Sequence, residues 1–308
     1  VRIVFMGTPA FAVPSLAVLF EAGHEVVGAV TQPDRPSGRG QSMQLSPVKR
    51  YALQRRLLVE QPERLRDPAF LERLRALSPE LLVVAAYGKI LPKAVLDLPL
   101  RGAINVHGSL LPKYRGAAPI QRALLAGEAT TGITIMQMNE RMDAGDILLQ
   151  REVPIRPDDT GESLQARMAE TGASALIEAL YLLERGELLA VPQEDREATL
   201  APMIRKEEGE IDWKRNAEEI ERAVRAFFPW PSAYTRLRGK LLKILRGAVA
   251  PHADALPGTV VETAGEAIRI ATGAGSLACL ELQLEGKRAM SARELVSGRL
   301  VREKERLG

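Results

Sequence analysis

The sequence contains a single cysteine, Cys279, and only three histidines among 308 residues. One cysteine cannot form a disulfide within the chain, and so few sulfur and imidazole ligands argue against a zinc cluster. No apolar run reaches the length of a membrane-spanning helix, and the first residues are typical of a strand, not of a signal peptide. These absences predict a cytoplasmic protein without a disulfide, a resident metal ion or a membrane partner.

The first strand–turn–helix unit lacks the glycine pattern of dinucleotide-binding proteins. Residues 2–7 form an apolar run, and residues 13–22 have the spacing of an amphipathic helix. A second apolar run at 25–31 completes the opening of a doubly wound α/β sheet. The turn contains no Gly-x-Gly-x-x-Gly, and Pro9 removes a backbone donor that a pyrophosphate would need. We therefore predict a Rossmann-like α/β fold that does not bind a nicotinamide dinucleotide.

The length allows two domains, and 46% hydrophobic with 26% charged residues describes an ordinary globular protein. The formal net charge of +3 is unevenly distributed. Residues 1–208 carry 25 lysines and arginines against 26 acidic residues, whereas residues 209–308 carry 17 against 13. A basic second half suits a polyanionic partner, although an excess of this size also serves solubility alone. The charge count leaves both interpretations open.

The second half of the chain changes from helical to strand-type patterns. Residues 160–185 have the spacing of one long helix, and residues 189–206 are polar with two prolines. Short strands between glycines and prolines follow, at 233–237, 241–248, 258–261, 267–271 and 276–284. Such a series is typical of a small OB-like β-barrel. We predict an α/β domain at 1–188, a linker at 189–206 and a β-barrel domain at 207–308.

The segment 102–116 combines a strand end with polar residues. Residues 103–106 are an apolar run that ends in His107, and a glycine and a proline stop any regular element after it. Asn105 and His107 are two residues apart, so on a strand they face the same side. Ligands of open α/β sheets bind at carboxyl ends of strands, where an amide and an imidazole could stabilise a developing oxyanion. Alternatively, Asn105 caps the turn and His107 is a satisfied core histidine.

Residues at two other predicted strand ends have both a functional and a structural interpretation. Tyr87 and Gly88 follow the very apolar residues 80–86, which predict a central strand, and they either line a ligand pocket or begin a helix. Asp143 and Asp146 lie between two segments of strand type, which we predict to form a ribbon. Either aspartate could be a catalytic carboxylate, and either could simply hold a turn.

A long polar loop at residues 32–46 carries Arg35 and Arg39, and Lys49 continues the positive charge into the next helix. Two prolines, two further glycines and few apolar residues predict an irregular, mobile loop at the rim of the sheet. Arginines on such a loop suit phosphate or base contacts. A solvated surface loop would have the same composition.

Several motifs spread along the chain occur in a combination that is more specific than any one of them. They are Phe5-x-Gly-Thr-Pro-x-Phe, Thr31-Gln-Pro-Asp-Arg-Pro-x-Gly-Arg-Gly, Asn105-x-His-x-Ser-Leu-Leu-Pro, Asp143-Ala-Gly-Asp, Ile211-Asp-Trp and Phe228-Pro-Trp-Pro. This combination resembles that of the formyltransferases that use 10-formyltetrahydrofolate, over essentially the whole chain. The motifs that begin at Phe5, Thr31 and His107, together with those of the second domain, are similar to those of family members that act on methionyl-tRNA.

The resemblance implies a site and two substrates. The expected site residues are Asn105, His107 and Asp143 for catalysis; Ser109, Leu110, Leu111, Pro112, Tyr87 and Gly88 for folate; and Arg39, Arg35 and Lys49 for tRNA. Of these, residues 109–112 match the family's folate-binding stretch, and Arg39 matches an arginine of the loop that meets the tRNA acceptor end. The implied substrates are 10-formyltetrahydrofolate, as formyl donor, and initiator methionyl-tRNA, bound by a monomer that needs no metal ion.

The implied chemistry agrees with the residue types. The methionine amine attacks the formyl carbon, Asn105 and His107 donate hydrogen bonds to the oxyanion that forms, and Asp143 relays the amine proton. Formyltransferases of small amines and formyltetrahydrofolate hydrolases would share these three residues, but they predict neither the arginine loop nor a basic second domain. An RNA-binding protein with a vestigial α/β domain is the alternative outside enzymes.

Overall fold

The first strand, β1 (Arg2–Gly7), is buried over all residues after Arg2, as an apolar strand in the middle of a sheet must be. It belongs to a computed structural model that describes residues 1–37, 42–263 and 265–308. Packing divides the chain into two units. The first consists of Val1–Pro119, Thr130–Pro154 and Gln165–Pro202, and the second of Ile120–Ala129, Ile155–Leu164 and Met203–Gly308.

A seven-stranded sheet forms the centre of the first unit. The next strands in the chain are β2 (Glu25–Val30), β3 (Arg35–Ser37), β4 (Ser42–Gln44), β5 (Val59–Glu60), β6 (Leu81–Ala85), β7 (Ala103–His107), β8 (Thr130–Gln137) and β9 (Ile147–Pro154). The sheet has the order β5-β2-β1-β6-β7-β8-β9, in which β5 to β7 are parallel and β8 and β9 are antiparallel. The predicted α/β sheet is therefore confirmed, with β6 in its middle and β8–β9 as the predicted ribbon.

The helices begin where their sequences supply proline or capping side chains. They are α1 (Val13–Glu21), α2 (Pro47–Gln54), α3 (Pro68–Ala76), α4 (Lys93–Leu96), α5 (Pro119–Ala126), α6 (Gly161–Arg185), α7 (Ala217–Ala226) and α8 (Ala292–Ser297). Asp67 accepts a hydrogen bond from Ala69 N at the start of α3. Asn216 and Ser291 form capping boxes with the glutamates three residues later, which satisfy the free amides of the first turn.

The prediction of an irregular loop at residues 32–46 is wrong for part of that segment. Strands β3 and β4 pair there as a two-stranded antiparallel ribbon, with Arg35 opposite Gln44. This ribbon lacks the alternating apolar residues by which strands are predicted, because its two strands pair with each other and lie outside both larger sheets. Arg39 lies outside the described residues.

The second unit contains an antiparallel sheet with its own core. Its strands are β10 (Ala233–Leu237), β11 (Lys240–Ala250), β12 (Val260–Glu262), β13 (Ile268–Ala271), β14 (Ser276–Leu284) and β15 (Met290–Ser291). They have the order β10-β11-β14-β13-β12, and β15 pairs with β14. Buried residues from the sheet pack with Trp213 and with residues of α7 and α8. The five predicted strands are thus confirmed as strands of one antiparallel sheet.

The sheet of the first unit brings polar side chains to one edge. Strand β7 lies between β6 and β8, so Asn105 is paired with Val84 on one side and Met136 on the other, and His107 is opposite Thr134. Both residues are at the carboxyl end of a parallel strand, where open α/β sheets bind their ligands. No helix in the described part of the chain is both long enough and apolar enough to cross a membrane.

Candidate active site

His107 is the last residue of β7 and is 5% exposed. Its Nε2 lies 3.0 Å from the carbonyl oxygen of Tyr114. A carbonyl oxygen can only accept, so Nε2 carries the proton in this contact and the tautomer is determined by the main chain. The other ring nitrogen, Nδ1, lies 3.7 Å from Oδ2 of Asp143. His107 is thus oriented with Nδ1 toward a carboxylate.

Asp143 lies in the turn between β8 and β9 and has a φ of 47°, in the left-handed region that side chains other than glycine rarely adopt. Its Oδ2 accepts a hydrogen bond of 2.9 Å from the backbone amide of Gly116. The sequence left Asp143 and Asp146 as alternatives. The structure brings Asp143 to His107, whereas the described residues place no hydrogen-bond or ion-pair partner at the carboxylate of Asp146.

Asn105 is 8% exposed, and its side-chain amide forms no hydrogen bond with any residue that the structure describes. Its amide atoms are not among the fully enclosed side-chain atoms that lack a partner, so they reach the accessible surface. The amide lies two residues before His107 on the same strand. A polar ligand at this strand end would supply the missing partner.

The predicted folate stretch is a turn fixed from inside the protein. Thr134 Oγ1 donates to the carbonyl of Ser109 at 2.7 Å and accepts from Leu111 N at 3.0 Å. Gln150 Nε2 donates to the carbonyl of Leu111 at 2.8 Å, and Ser109 Oγ donates to the carbonyl of Lys113 at 2.6 Å. The Ser109 hydroxyl is therefore buried and already hydrogen-bonded. A ligand would contact this turn through its shape and its main-chain atoms.

Thr134 and Gln150, which hold the turn, were not predicted from the sequence. Thr134 lies between two isoleucines in β8, and Gln150 follows an apolar triplet in β9, and this local contrast is the signal that could have found them. Leu110 packs against Gly132, where a Cβ atom would lie 2.5 Å from Leu110 Cδ2. The peptide bond between Leu111 and Pro112 is cis.

Tyr87 and Gly88 lie at the end of β6, one strand away from His107. The Tyr87 ring is 2% exposed within the core, and its hydroxyl has no hydrogen-bond partner among the described residues. Burial raises the pKa of Tyr87 to about 12. Its carbonyl oxygen accepts from Gln32 Nε2 at 3.1 Å and from Thr8 Oγ1 at 3.3 Å. Gly88 has a φ of 86°, a conformation that suits glycine.

The three residues expected to bind tRNA are not equivalent. Arg35 is exposed at the start of β3, and Arg39 lies outside the described residues. Lys49 is paired with Asp34, and its Nζ lies 2.6 Å from Gln61 Oε1. The hydrogen bond from Lys49 holds the pKa of Asp34 below its ordinary value. The Lys49 charge is thus already compensated at the base of the ribbon.

The described residues contain no cluster of three or more His, Cys, Asp or Glu side chains that could hold a metal ion. The site instead offers an unpartnered amide, an imidazole and a carboxylate at one strand end. Amide and imidazolium groups can donate to a developing oxyanion, and a carboxylate can accept a proton. This arrangement suits attack of a nucleophile on a carbonyl-type carbon.

Family models match both halves of the chain. The model described as "Formyl transferase" matches residues 1–180, and the model described as "Formyl transferase, C-terminal domain" matches residues 203–300. The two matches show that the chain belongs to the formyl transferase family, which is the class that the motifs predicted.

Curated relatives narrow this class. The methionyl-tRNA formyltransferase of Myxococcus xanthus is 50% identical over 297 residues, which cover 96% of this chain and 95% of that protein. That of Marinobacter nauticus is 48% identical over 298 residues, with 96% of each covered. The chain therefore belongs to the methionyl-tRNA formyltransferases of the formyl transferase family.

Solved structures share the fold at lower sequence identity. The structure of HypX from Aquifex aeolicus in complex with tetrahydrofolic acid matches with a TM-score of 0.68 at 21% identity, over 99% of this chain and 48% of that chain. The methionyl-tRNA formyltransferase from Clostridium thermocellum matches with a TM-score of 0.57 at 17% identity, over 80% and 92%. At these identities the similarity concerns the fold alone.

Proposed function

We propose that this chain is the enzyme that transfers the formyl group of 10-formyltetrahydrofolate to the α-amino group of methionyl-tRNA, giving N-formylmethionyl-tRNA for translation initiation. One observation supports this function above the others. About half of the residues are identical to those of proteins named methionyl-tRNA formyltransferase, over nearly the full length of both chains. The unpartnered amide beside an imidazole and a carboxylate supplies the chemistry that such a transfer needs.

In this reaction the methionine amine forms a bond to the formyl carbon, and the formyl oxygen becomes an oxyanion. The amine then loses a proton, the bond between the formyl carbon and N10 of the folate breaks, and N10 takes up a proton. The products are N-formylmethionyl-tRNA and tetrahydrofolate. No electrons are exchanged with a third compound, so the two substrates balance the reaction by themselves.

Asn105 and His107 stabilise the oxyanion in this proposal. The Asn105 amide is free to donate, because the described residues offer it no other acceptor. Nε2 of His107 already donates to the Tyr114 carbonyl. The ring therefore donates to the oxyanion through Nδ1, in its doubly protonated form. Asp143, 3.7 Å from Nδ1, stabilises the imidazolium and accepts the amine proton directly or through water.

Folate binds in this proposal along the turn of Ser109, Leu110, Leu111 and Pro112, beside the main chain of Tyr87 and Gly88. Rigid support by Thr134 and Gln150 favours a preformed surface, because its hydrogen bonds are satisfied before any ligand arrives. The buried Tyr87 ring leaves its main chain as the contact that a folate could reach.

The tRNA binds in this proposal through Arg35, Arg39 and Lys49, and to a C-terminal domain at 207–308. The excess of lysine and arginine in residues 209–308 supports this assignment, because phosphate contacts need cations. We assign this domain an OB-like barrel, joined to a catalytic domain at 1–188 by a linker at 189–206. The enzyme acts as a cytoplasmic monomer on the initiator tRNA.

The deciding experiment uses the purified full chain with 10-formyltetrahydrofolate and methionyl-tRNA, and follows N-formylmethionine after deacylation. Folate-dependent formylation, lost in Asp143→Asn while tetrahydrofolate affinity stays unchanged, supports the proposal. Formylation of a small amine in preference to methionyl-tRNA, release of formate without transfer, or tRNA binding without any formyl transfer would each contradict it.

A further inference from the structure

Tyr114 and Gly116, two residues of one three-residue segment, hold the two acid–base groups of the site. The Tyr114 carbonyl accepts from Nε2 of His107 at 3.0 Å, and the Gly116 amide donates to Oδ2 of Asp143 at 2.9 Å. Arg115, between them, is 7% exposed, and its Nε donates to Gln193 Oε1 at 3.0 Å. The segment 114–116 therefore determines the separation of His107 and Asp143 from two sides.

Gln193 adds a third restraint on Asp143. Its Nε2 donates to the carbonyl of Asp143 at 2.9 Å and to the carbonyl of Gly145 at 2.6 Å. One amide group thus binds two carbonyls of the turn that contains the left-handed Asp143. A residue other than glycine keeps that backbone conformation only where its surroundings hold it, and the two bonds from Gln193 are part of that support.

Arg115 fixes the orientation of the Gln193 amide. Its Nε and Nη2 both donate to Gln193 Oε1, at 3.0 and 2.8 Å, so Nε2 must face the turn. Arg115 Nη1 also pairs with Asp195 at 2.9 Å, and Arg141 pairs with the same carboxylate at 2.8 Å. Hydrogen bonds from Arg141 and Arg115 hold the pKa of Asp195 below its ordinary value, so the arginines have an anionic partner near neutral pH.

The segment 114–116 is itself held by residues that the sequence predicted as a linker. Arg115 N donates to the Thr199 carbonyl at 2.8 Å, and Ala201 N donates to the Arg115 carbonyl at 2.7 Å. Tyr114 N donates to Thr199 Oγ1 at 2.8 Å. Gly116 has a φ of 125°, and a Cβ atom there would lie 2.7 Å from the Ala201 carbonyl oxygen. Residues 193–201 are therefore part of the support of the site.

We propose that Gln193, oriented by Arg115, is a positioning residue that holds the Asp143 carboxylate at the distance from His107 that the proton transfer requires. The inference rests on the proposed function, since it assumes that Asp143 and His107 carry the chemistry. Gln193 touches neither substrate in this proposal, so it acts on turnover and not on binding.

The test replaces Gln193 by glutamate and by methionine. In Gln193→Glu the carboxylate still pairs with Arg115 but can no longer donate to the two carbonyls, which separates the donor role from the arginine contact. A catalytic group displaced by about 1 Å costs roughly a hundredfold in rate, so we expect kcat to fall by about 10- to 100-fold. The KM values of folate and methionyl-tRNA stay within about twofold of those of the parent chain, because neither substrate contacts Gln193.

Two further measurements separate positioning from a merely structural role. The kcat–pH profile should move in Gln193→Glu, whereas a loss of stability alone would leave it in place. In a double-mutant cycle on residual single-turnover rates, Gln193→Glu should have little further effect on an Asp143→Asn enzyme, because both changes act through the Asp143 carboxylate. The matched control is Gln165→Glu on α6, whose parent side chain forms no hydrogen bond with the described residues.

Three results would overturn the positioning role. They are a kcat like that of the parent chain in a folded Gln193→Glu, a raised KM at unchanged kcat, and full additivity with Asp143→Asn. If Gln193→Glu does not fold by circular dichroism, the uncharged Gln193→Met takes its place under the same criteria. Absence of formyl transfer by the parent chain would instead contradict the proposed function.

Discussion

Asn105 is the site residue whose role can be tested with least effect on the fold, because its amide forms no hydrogen bond with the described residues. We expect Asn105→Ala to lower kcat by about 100- to 1,000-fold, the usual effect of removing one oxyanion donor. The free energy of unfolding should change little, since no hydrogen bond with the described residues is lost. Single-turnover formylation and urea unfolding check the two parts, and an unchanged rate would show that the amide does not contact the oxyanion.

Tyr87 is a second buried residue with an unused polar atom. We expect Tyr87→Phe to raise the free energy of unfolding by about 1 kcal/mol at neutral pH, because the hydroxyl has no partner among the described residues. Folate affinity should not change. A weaker folate complex would show instead that the Tyr87 hydroxyl forms a hydrogen bond with the bound folate.

The raised pKa of Tyr87, about 12, makes the same variant a test of pH dependence. Above the ordinary tyrosine pKa of 10, the unfolded chain loses the phenol proton before the folded chain does. The parent chain therefore loses stability as the pH rises from 10 toward 12, by at most about 1.4 kcal/mol per pH unit, and Tyr87→Phe does not. Urea unfolding of both proteins at about pH 8 and about pH 11 measures the difference, which should grow at the higher pH.

At the scale of the elements, the turn between β8 and β9 has very little space for an added side chain at Gly145. A Cβ atom at Gly145 would lie 1.7 Å from the Gln137 carbonyl oxygen, in a turn closed by the bond from Gln137 N to the Asp146 carbonyl. We expect Gly145→Ala to lower the free energy of unfolding by about 1–3 kcal/mol and to lower kcat, because Asp143 lies in the same turn. Chemical denaturation and steady-state kinetics measure both effects.

Gly239 provides the control for this turn. It lies between β10 and β11 with a φ of 77°, and a Cβ atom there meets nothing within 4 Å. Gly239→Ala should therefore cost only the backbone strain of that conformation and leave kcat unchanged. Equal losses of stability in the two variants would show that the close approach at Gly145 relaxes without cost.

The elements differ in how far their sequences predict them, for physical reasons. Burial on both faces makes β6 a continuous apolar run, and burial of one side gives α6 its helical spacing, so both were predicted. Strands β3 and β4 are held mainly by pairing with each other, which leaves no apolar period. Gln193 binds a turn 50 residues away through one amide, and such a contact leaves no local pattern.

The same distinction applies to the site. Asn105 and His107 are on one strand, so the two-residue period placed them together. Asp143 could be separated from Asp146 only by the structure, because the direction of a turn side chain depends on bonds from Gly116 and Gln193. The family was predicted from a combination of motifs spread along the whole chain. The local periodicity of single strands and helices does not contain that information.

At the scale of the whole molecule, the net positive charge is concentrated in residues 209–308. Residues 1–208 are nearly neutral, and residues 209–308 carry 17 lysines and arginines against 13 acidic residues. In the sheet of the second unit, Arg236 and Lys240 are exposed and form no ion pair with the residues that the structure describes. A polyanionic tRNA gains affinity from such cations by releasing counterions, whereas a folate gains little.

We therefore expect kcat/KM for methionyl-tRNA to fall steeply with added potassium chloride, while kcat/KM for folate at saturating tRNA changes little. In Arg236→Ala/Lys240→Ala the slope of log kcat/KM against log salt should become shallower by about 1 for each phosphate that these side chains no longer neutralise. Arg185→Ala is the control, because Arg185 is paired with Glu187 and lies in the first unit, so its slope should match the parent slope. A double variant with the parent slope would place the phosphate contacts elsewhere on the chain, and a salt-independent parent enzyme would remove the electrostatic account of tRNA binding altogether.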